Sequence, residues 1–539
     1  MAKIGRLFQT VRHLRVRQIL YQVYYRLSGK LRSRPEQGAR QRVPGNSAPQ
    51  PPGGEEQGDQ RTVPPTPGAV TFDFLNRPVT FRNAEDIDWN YASEGKLWTY
   101  HLNYFDFLLD PAGQGYAGPE PETLIHHWID REGTHADGWE PYPTSLRLVN
   151  WLAYYERKGG ELPPAVQASV QRQYANLGGK IEYHLDGNHL LENAIALTYT
   201  AYRLGDEDGK RAYAALLERQ LRAQYLEDGM HYELSPAYHL LLLHRWLLTY
   251  PCFSVPTLAP ATAPHLPRNL YKSLERQLAW TRNFVTNDGR YAHFNDSNAD
   301  MAPAAPDLLR RATALGLTAA EQPLTDSGYR HWTTARADLW IDAAVIGPDH
   351  IPGHAHADNL TFVLHVDGRP AIVDPGVSTY EQGERRTFER STAAHNTVTL
   401  GGRNSSDVWA SFRVGRRART TISHEFGRTL RARHAGYGTA HRREFGLTDQ
   451  TLTVVDRLAG NSTGVAHLHF DYTCDVELIS QELKTPYGIF QFTGGTPEVR
   501  HYQQATGWNT LRRATVVTIP FTGELISTFT LSAAPSDNV

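Results

Sequence analysis

Apolar residues recur every third or fourth position along much of the chain up to Leu324, and at every second position beyond Thr333. That change of period divides the sequence into a helical part and a strand-rich part. In YPTSLRLVNWLAYYERKGG the helical pattern closes on a lysine and a glycine pair, as helix C-termini do. NHLLENAIALTYTAYRLG sets Leu190, Ala194, Leu197 and Ala201 on one stripe, with Leu191 beside it, and stops at Gly205. SPAYHLLLLHRWLLTYP opens with Ser235 as N-cap and Pro236 at the first helical position. AYAALLERQLRAQYL and LYKSLERQLAWTRNFV continue the series, and many helices with short connections predict an all-α bundle or a ring of helical hairpins. LTFVLHV, AIVD, NTVTL, TLTVVDRL, AHLHFDYT, GIFQFT and TVVTIPF then alternate, punctuated by Asp367-Gly368 and Gly401-Gly402. This second pattern predicts an antiparallel β-sandwich.

The N-terminus follows neither pattern simply. Ile4, Leu7, Phe8, Val11 and Leu14, then Ile19, Leu20, Val23, Tyr24 and Leu27, predict a basic amphipathic helix over 1–34 carrying Lys3, Arg6, Arg12, Arg15, Arg17, Arg26, Lys30, Arg32 and Arg34, with no acid before Glu36. Such a helix either meets an anionic membrane surface or acidic partner, or packs on the protein with its basic face solvated. Arginines interrupt any apolar run that could serve a signal peptide, so a cytoplasmic or membrane-surface location is expected, with a self-made capsule or exopolysaccharide as the natural polymer. Residues 35–69, rich in Pro, Gly and Gln, are expected to form a disordered linker. The predicted organisation is therefore 1–34 helix, 35–69 linker, 70–330 helical catalytic domain and 331–539 β-sandwich.

Composition narrows the chemistry. With 55 Lys+Arg against 57 Asp+Glu the chain as a whole gives no case for a nucleic-acid partner. Cys252 and Cys474 are its two cysteines, which excludes a thiolate zinc cluster or a disulfide scaffold and leaves His and carboxylate as metal ligands. No stretch approaches the roughly 18 apolar residues that cross a bilayer.

Three polar constellations stand out. In IPGHAHADNLTFVLHVDGRPAIVDPG an extended chain would put His354, His356 and Asp358 on one face, with Asp374 at a later strand end and His395 just before the next strand. A two-residue Asp367-Gly368 hairpin sets Asp374 opposite Thr361, so His356 reaches it only if the chain bends at Ala357–Asn359. In DGNHLLENA, Asn188, His189 and Glu192 fall within about one helical turn at a helix N-terminus, where an anion is welcome; an N-cap with surface neighbours is the plainer reading. In MHYELSPAYHL, Tyr238 lies in the first turn of its helix, where the dipole favours a phenolate, unless it is only a half-buried aromatic.

Taken together, Asn188-His189-x-x-Glu192, Tyr238 in SPAYH, HAHAD from His354, VDPG at Asp374 and RSTAAHNT around His395 resemble, in that order, the heparinase II/III-like polysaccharide lyases. WEPYPTSLRLVNW, Trp139 to Trp151, also looks like a segment of that family, and the resemblance covers roughly Trp98 to Leu400. It implies an incomplete (α/α) toroid followed by an antiparallel β-sandwich, and β-elimination on a uronate-containing polysaccharide, whether glycosaminoglycan-like, alginate-like or a bacterial exopolysaccharide. It also implies Asn188 as neutraliser of the C6 carboxylate, His189 as helper or base, Tyr238 as acid and in some members also base, and His354 completing the catalytic set. His356, Asp374 and His395 resemble metal ligands, usually for a structural zinc. Glu192, Trp139, Tyr142 and Arg147 are expected substrate contacts, arginine for the uronate carboxylate and aromatic faces for the sugars, with Glu192 also able to orient His189. Asp296 lies where the family has an acidic loop.

Two other readings compete. An (α/α) glycoside hydrolase would need two opposed carboxylates, for which Glu182, Asp186, Glu192 and Glu233 are available. A non-catalytic polysaccharide-binding or assembly protein could keep the fold and lose turnover. Only a lyase leaves a product double bond, which absorbs in the ultraviolet.

Overall fold

The computed structural model describes residues 2–28, 68–253, 269–319 and 322–533, so the expected linker lies outside the described residues as far as residue 67. The N-terminal segment is two helices, α1 (Ala2–Val11) and α2 (Val16–Leu27), rather than the single helix predicted. The chain falls into two compact units, one of residues up to Ile19 together with those from Glu182 onward, the other Leu20–Ile181.

In the Leu20–Ile181 unit, a three-stranded antiparallel sheet of Val70–Phe74, flanked by Arg77–Phe81 and Tyr116–Ala117, precedes the helices. The helical periodicity gave no sign of it. Helices α3 (Lys96–Tyr104), α4 (Pro121–Asp130), α5 (Pro141–Arg157) and α6 (Pro164–Gly178) follow. The last three begin on proline, whose missing N–H is harmless in a first turn. An aromatic chain forms the core: Trp89 stacks on Phe105 at 5.2 Å, Phe105 meets Trp151 at 5.4 Å and Trp151 meets Trp128 at 5.5 Å.

The other unit contains α7 (Gly187–Leu204), α8 (Glu207–Gln224), α9 (Pro236–Phe253), α10 (Leu270–Phe284) and α11 (Ala305–Ala314), then the strands. Gly205 ends α7 at φ 70°, and the Tyr238 amide donates to Ser235 Oγ at the start of α9, both as the sequence predicts. A four-stranded antiparallel sheet (Tyr329–Thr333, Ala337–Asp342, Phe362–Val366, Arg369–Ile372) shares a core with a large antiparallel sheet. Leu339, Phe362 and Leu364 of the first are buried with Phe445, Val454, Leu468 and Phe529 of the second. The large sheet is organised by one 22-residue strand, Thr510–Leu531, of which the sequence pattern marks only TVVTIPF. It pairs with Thr463–His469 before Gly523 (φ 75°) and with Thr451–Leu458 after it, so a glycine in a left-handed conformation marks the change of partner.

Across the predicted division at 330/331 the helical and strand-rich stretches also share apolar packing. Met230, Leu234, Trp280, Phe284 and Phe294 from the helical stretch are buried in one cluster with Tyr329, Trp340 and Val363 of the four-stranded sheet.

Candidate active site

The start of α7 is a tight, buried turn. Asp186 (φ 68°) and Gly187 (φ 61°) both occupy the left-handed region, and a Cβ on Gly187 would lie 2.1 Å from Glu233 Oε1, so only glycine fits. The close approach lets Glu233 accept from the Asn188 backbone N–H at 2.8 Å and from its Nδ2 at 2.9 Å. Asn188 Oδ1 is buried without a hydrogen-bond partner among the described residues. His189 is partly exposed, its Nδ1 3.2 Å from Glu182 Oε1. Burial alone would lower its pKa, but Glu182, then Glu233 and Glu192, outweigh it and raise it.

His354 comes to this turn from the strand-rich half of the chain. Its Nε2 lies 3.3 Å from Asn188 Nδ2 and 3.4 Å from Glu233 Oε2, and its ring stacks on Tyr238 with centroids 3.7 Å apart. The Tyr238 hydroxyl meets that of Tyr380 at 3.2 Å. Burial pushes the Tyr238 phenol well up, with the Asp296 and Glu233 carboxylates adding to the effect, so the structure reverses the expectation of an easily ionised phenol.

Asp296 is the hub beneath these groups. Its carboxylate meets His354 Nδ1 at 3.0 Å and His356 Nε2 at 2.8 Å, and accepts two hydrogen bonds from Arg386 at 2.5 and 2.8 Å. Burial opposes its ionisation, but Arg386 with the two histidines outweighs burial and holds it well below the carboxylate range. With Nδ1 turned to Asp296, Nε2 is the His354 nitrogen that faces Asn188 and Glu233.

His356, Asp358 and His395 converge a few ångströms away. One donor atom from each lies within 4.8 Å of the others. Their buried His356 Nδ1, Asp358 Oδ2 and His395 Nε2 have no hydrogen-bond partner among the described residues. Each histidine is held at its other nitrogen by a carboxylate, His356 by Asp296 and His395 by Asp374 at 2.8 Å, the usual support for a metal-binding imidazole. Burial, opposed by Asp296, brings His356 down to about 4, leaving it neutral and able to ligate. Two imidazoles and a carboxylate fit a zinc ion. Asp374 thus joins the cluster as the partner of His395 Nδ1, while Asp358 offers the free oxygen expected of Asp374. The hairpin register itself differs from the one predicted, with a bulge between Leu364 and His365, and Leu360 takes a positive φ of 66°.

Two of the expected substrate contacts are buried against protein partners. Arg147 is buried, with Nε donating to Gln173, Nη1 to the Asn103 carbonyl and the guanidinium over the Trp128 ring, so it braces its own unit. Glu192 is buried beside Arg245, whose Nε lies 3.6 Å from its Oε1. Trp139 and Tyr142 remain half-buried in the Leu20–Ile181 unit, with Trp139 Nε1 bonded to the Glu132 carbonyl. The four hydrolase candidates are each already partnered: Glu182 by His189, Asp186 by Arg15 and Arg17, Glu192 beside Arg245, and Glu233 by Asn188. Sequence reasoning missed Tyr380 and Arg386, which sit in STYEQGERRTFER without any local pattern of their own.

The chain matches the family models described as heparinase II/III N-terminus, over residues 170–314, and heparinase II/III-like, C-terminal, over residues 318–524. A heparin-sulfate lyase of Bacteroides stercoris is 23% identical over 459 residues, covering 72% of this chain and 66% of its own length. One of Bacteroides thetaiotaomicron is 22% identical over 460 residues, 73% of this chain and 64% of its own. The chain therefore spans about two thirds of the length of these curated relatives. A crystal structure of heparinase III superposes with TM-score 0.65 at 17% identity, covering 84% of this chain and 80% of that one. A heparan sulfate lyase of Pedobacter heparinus superposes with TM-score 0.54 at 16% identity, with 85% and 80% covered. At these identities the likeness shows the fold, the predicted incomplete (α/α) toroid followed by an antiparallel β-sandwich.

Proposed function

The chain belongs to the heparinase II/III-like family, and from that premise we propose that it is a polysaccharide lyase, cleaving a uronate-containing polysaccharide by β-elimination. One observation carries the proposal: the Asn188 amide, the His354 imidazole and the Tyr238 phenol meet at one point, with Asn188 Nδ2 3.3 Å from His354 Nε2 and the two rings 3.7 Å apart. A proton beside a carboxylate becomes removable once that carboxylate is neutralised. Asn188 Nδ2 gives one hydrogen to Glu233 and faces His354 Nε2 with the other, which the substrate carboxylate would take over on binding, with His189, its pKa raised by Glu182, beside it. His354 is then the base, taking the C5 proton on Nε2. Tyr238, kept protonated by burial, is the acid for the leaving O4.

We propose further that His356, His395 and Asp358 hold a structural zinc ion, with Asp374 and Asp296 orienting the two imidazoles. When bound, the ion offsets the Asp358 charge and fixes the loop that begins at His354. For location, the reading is contact with an anionic membrane through α1 and α2, supported by exposed Phe8, Val16, Leu20 and Leu27 among the arginines.

The test is ultraviolet absorbance during incubation with heparan sulfate, chondroitin sulfate, alginate and the producer's own polysaccharide, with Tyr238→Phe alongside. A rise with the wild type that is absent in the variant is expected. Binding to one of these polymers without any absorbance change would replace the lyase with a binding protein.

A further inference from the structure

Both family models begin after residue 169, yet the turn that presents Asn188 and His189 is held by residues before position 20. The buried Gln18 donates through Nε2 to two carbonyls, Leu185 at 3.3 Å and His350 at 3.4 Å. Leu185 leads into Asp186-Gly187-Asn188-His189, and His350 stands four residues before His354. One amide therefore joins the two segments whose side chains meet in the site. Gln18 is itself fixed, because its Oε1 accepts from the Arg15 backbone N–H at 2.9 Å.

The same segment compensates a buried charge. Asp186 is 1% exposed and sits at φ 68°, in a left-handed conformation, immediately before Gly187. Arg15 Nη1 and Arg17 Nη2 lie 3.4 and 3.3 Å from its Oδ2, and His350 Nε2 lies 3.5 Å from the same oxygen. Asp186 has no other charged group against it among its described ion pairs. Removing the two arginines would leave a buried carboxylate with one imidazole as its remaining partner, beside a strained turn.

We infer that the N-terminal segment Arg15–Gln18 is a clasp that positions the catalytic groups: Gln18 sets the α7 turn and the His354 loop at their mutual distance, and Arg15 and Arg17 hold the Asp186 turn closed. The clasp rests on the lyase reading only for its kinetic consequence, not for its geometry. In the full chain, Gln18→Ala is expected to speed amide hydrogen exchange in two peptides, those covering residues 183–190 and 348–356, while the thermal midpoint and exchange in the β-sandwich strands stay as in wild type. On heparan sulfate, kcat is expected to fall about tenfold or more with little change in KM, since small misplacements of reacting groups act on the chemical step. Arg15→Ala/Arg17→Ala is expected to do the same more severely, Arg17→Lys to retain most of the activity, and Asp186→Asn to restore protection in the double-arginine variant by removing the uncompensated charge. Unchanged exchange in both peptides for Gln18→Ala would overturn the clasp, whatever the kinetics. Silence of the wild type on heparan sulfate would count against the choice of polymer or the lyase reading, and the clasp would still be decided by exchange.

Discussion

A phenol that is to protonate a leaving oxygen must keep its proton until the substrate arrives, and Tyr238 is placed to do so. Stacked on His354 and bonded to Tyr380, it is removed from water, and its pKa moves up. Loss of this proton donor in Tyr238→Phe is expected to lower kcat by about 10²- to 10⁴-fold with the thermal midpoint unchanged, as measured by absorbance and calorimetry. Tyr380→Phe removes only the partner of that hydroxyl and should lower kcat by less than tenfold; a loss equal to that of Tyr238→Phe would make Tyr380 the proton donor. The position of Tyr238 is legible in the sequence because Ser235-Pro236 marks where α9 begins. The direction of its pKa is not, because burial is decided by partners as far as 142 positions along the chain. Arg386 and the hub role of Asp296 are hidden for the same reason, being properties of a contact across 90 positions.

At the scale of elements, the loops that carry the candidate metal ligands are braced from the sandwich. Arg443, in the strand His441–Leu447, donates to the Leu360 carbonyl at 2.8 Å and the Asn396 carbonyl at 2.6 Å, one beyond each of the two histidine-bearing loops. Its charge is matched by Asp456 in the neighbouring strand through hydrogen bonds of 2.7 and 2.9 Å. Burial would raise the Asp456 pKa, but Arg443 and His441 outweigh it and hold it well below its ordinary value. A depressed folded-state pKa contributes stability that is present above the unfolded value, about 3.9, and is lost as the pH falls through the folded value. Asp456→Asn is therefore expected to destabilise by about 3–5 kcal/mol at pH 7, with the gap from wild type narrowing in acid, as followed by denaturant unfolding across pH. A gap that stayed constant into strong acid would refute the electrostatic account. Removing the metal should act on the same loops: one equivalent of zinc is expected by elemental analysis, lost in His395→Ala, with a chelator lowering the thermal midpoint of wild type and leaving that variant unmoved. The helices and strands themselves are legible from period and capping, whereas the unpartnered oxygen of Asp358 beside His356 and His395 belongs to a meeting of loops that no periodicity marks.

At the scale of the whole molecule, a net charge of −2 conceals a first segment of one sign. Part of that segment is committed inward, with Arg15 and Arg17 on Asp186 and Thr10 accepting from Trp409 Nε1. The rest faces out: Phe8 is 63% exposed, Val16 72%, Leu20 63% and Leu27 84%, far more than scattered apolar residues on a surface require. Apolar side chains beside Arg6, Arg12 and Arg26, without an acid among them, suit the headgroup boundary of an anionic bilayer, where each basic residue contributes about 1 kcal/mol. The full chain is expected to co-sediment with vesicles containing anionic phosphatidylglycerol and not with purely zwitterionic ones, and to release as salt rises past about 0.5 M because the electrostatic part is screened. Phe8→Asp/Leu20→Asp should abolish sedimentation while leaving elimination on soluble polymer intact, since neither side chain belongs to the clasp. Binding to anionic vesicles that survives both substitutions would place the membrane contact elsewhere. Absence of binding by wild type would leave the N-terminus with the inward role alone, in which the clasp at Asp186 is what its arginines are for.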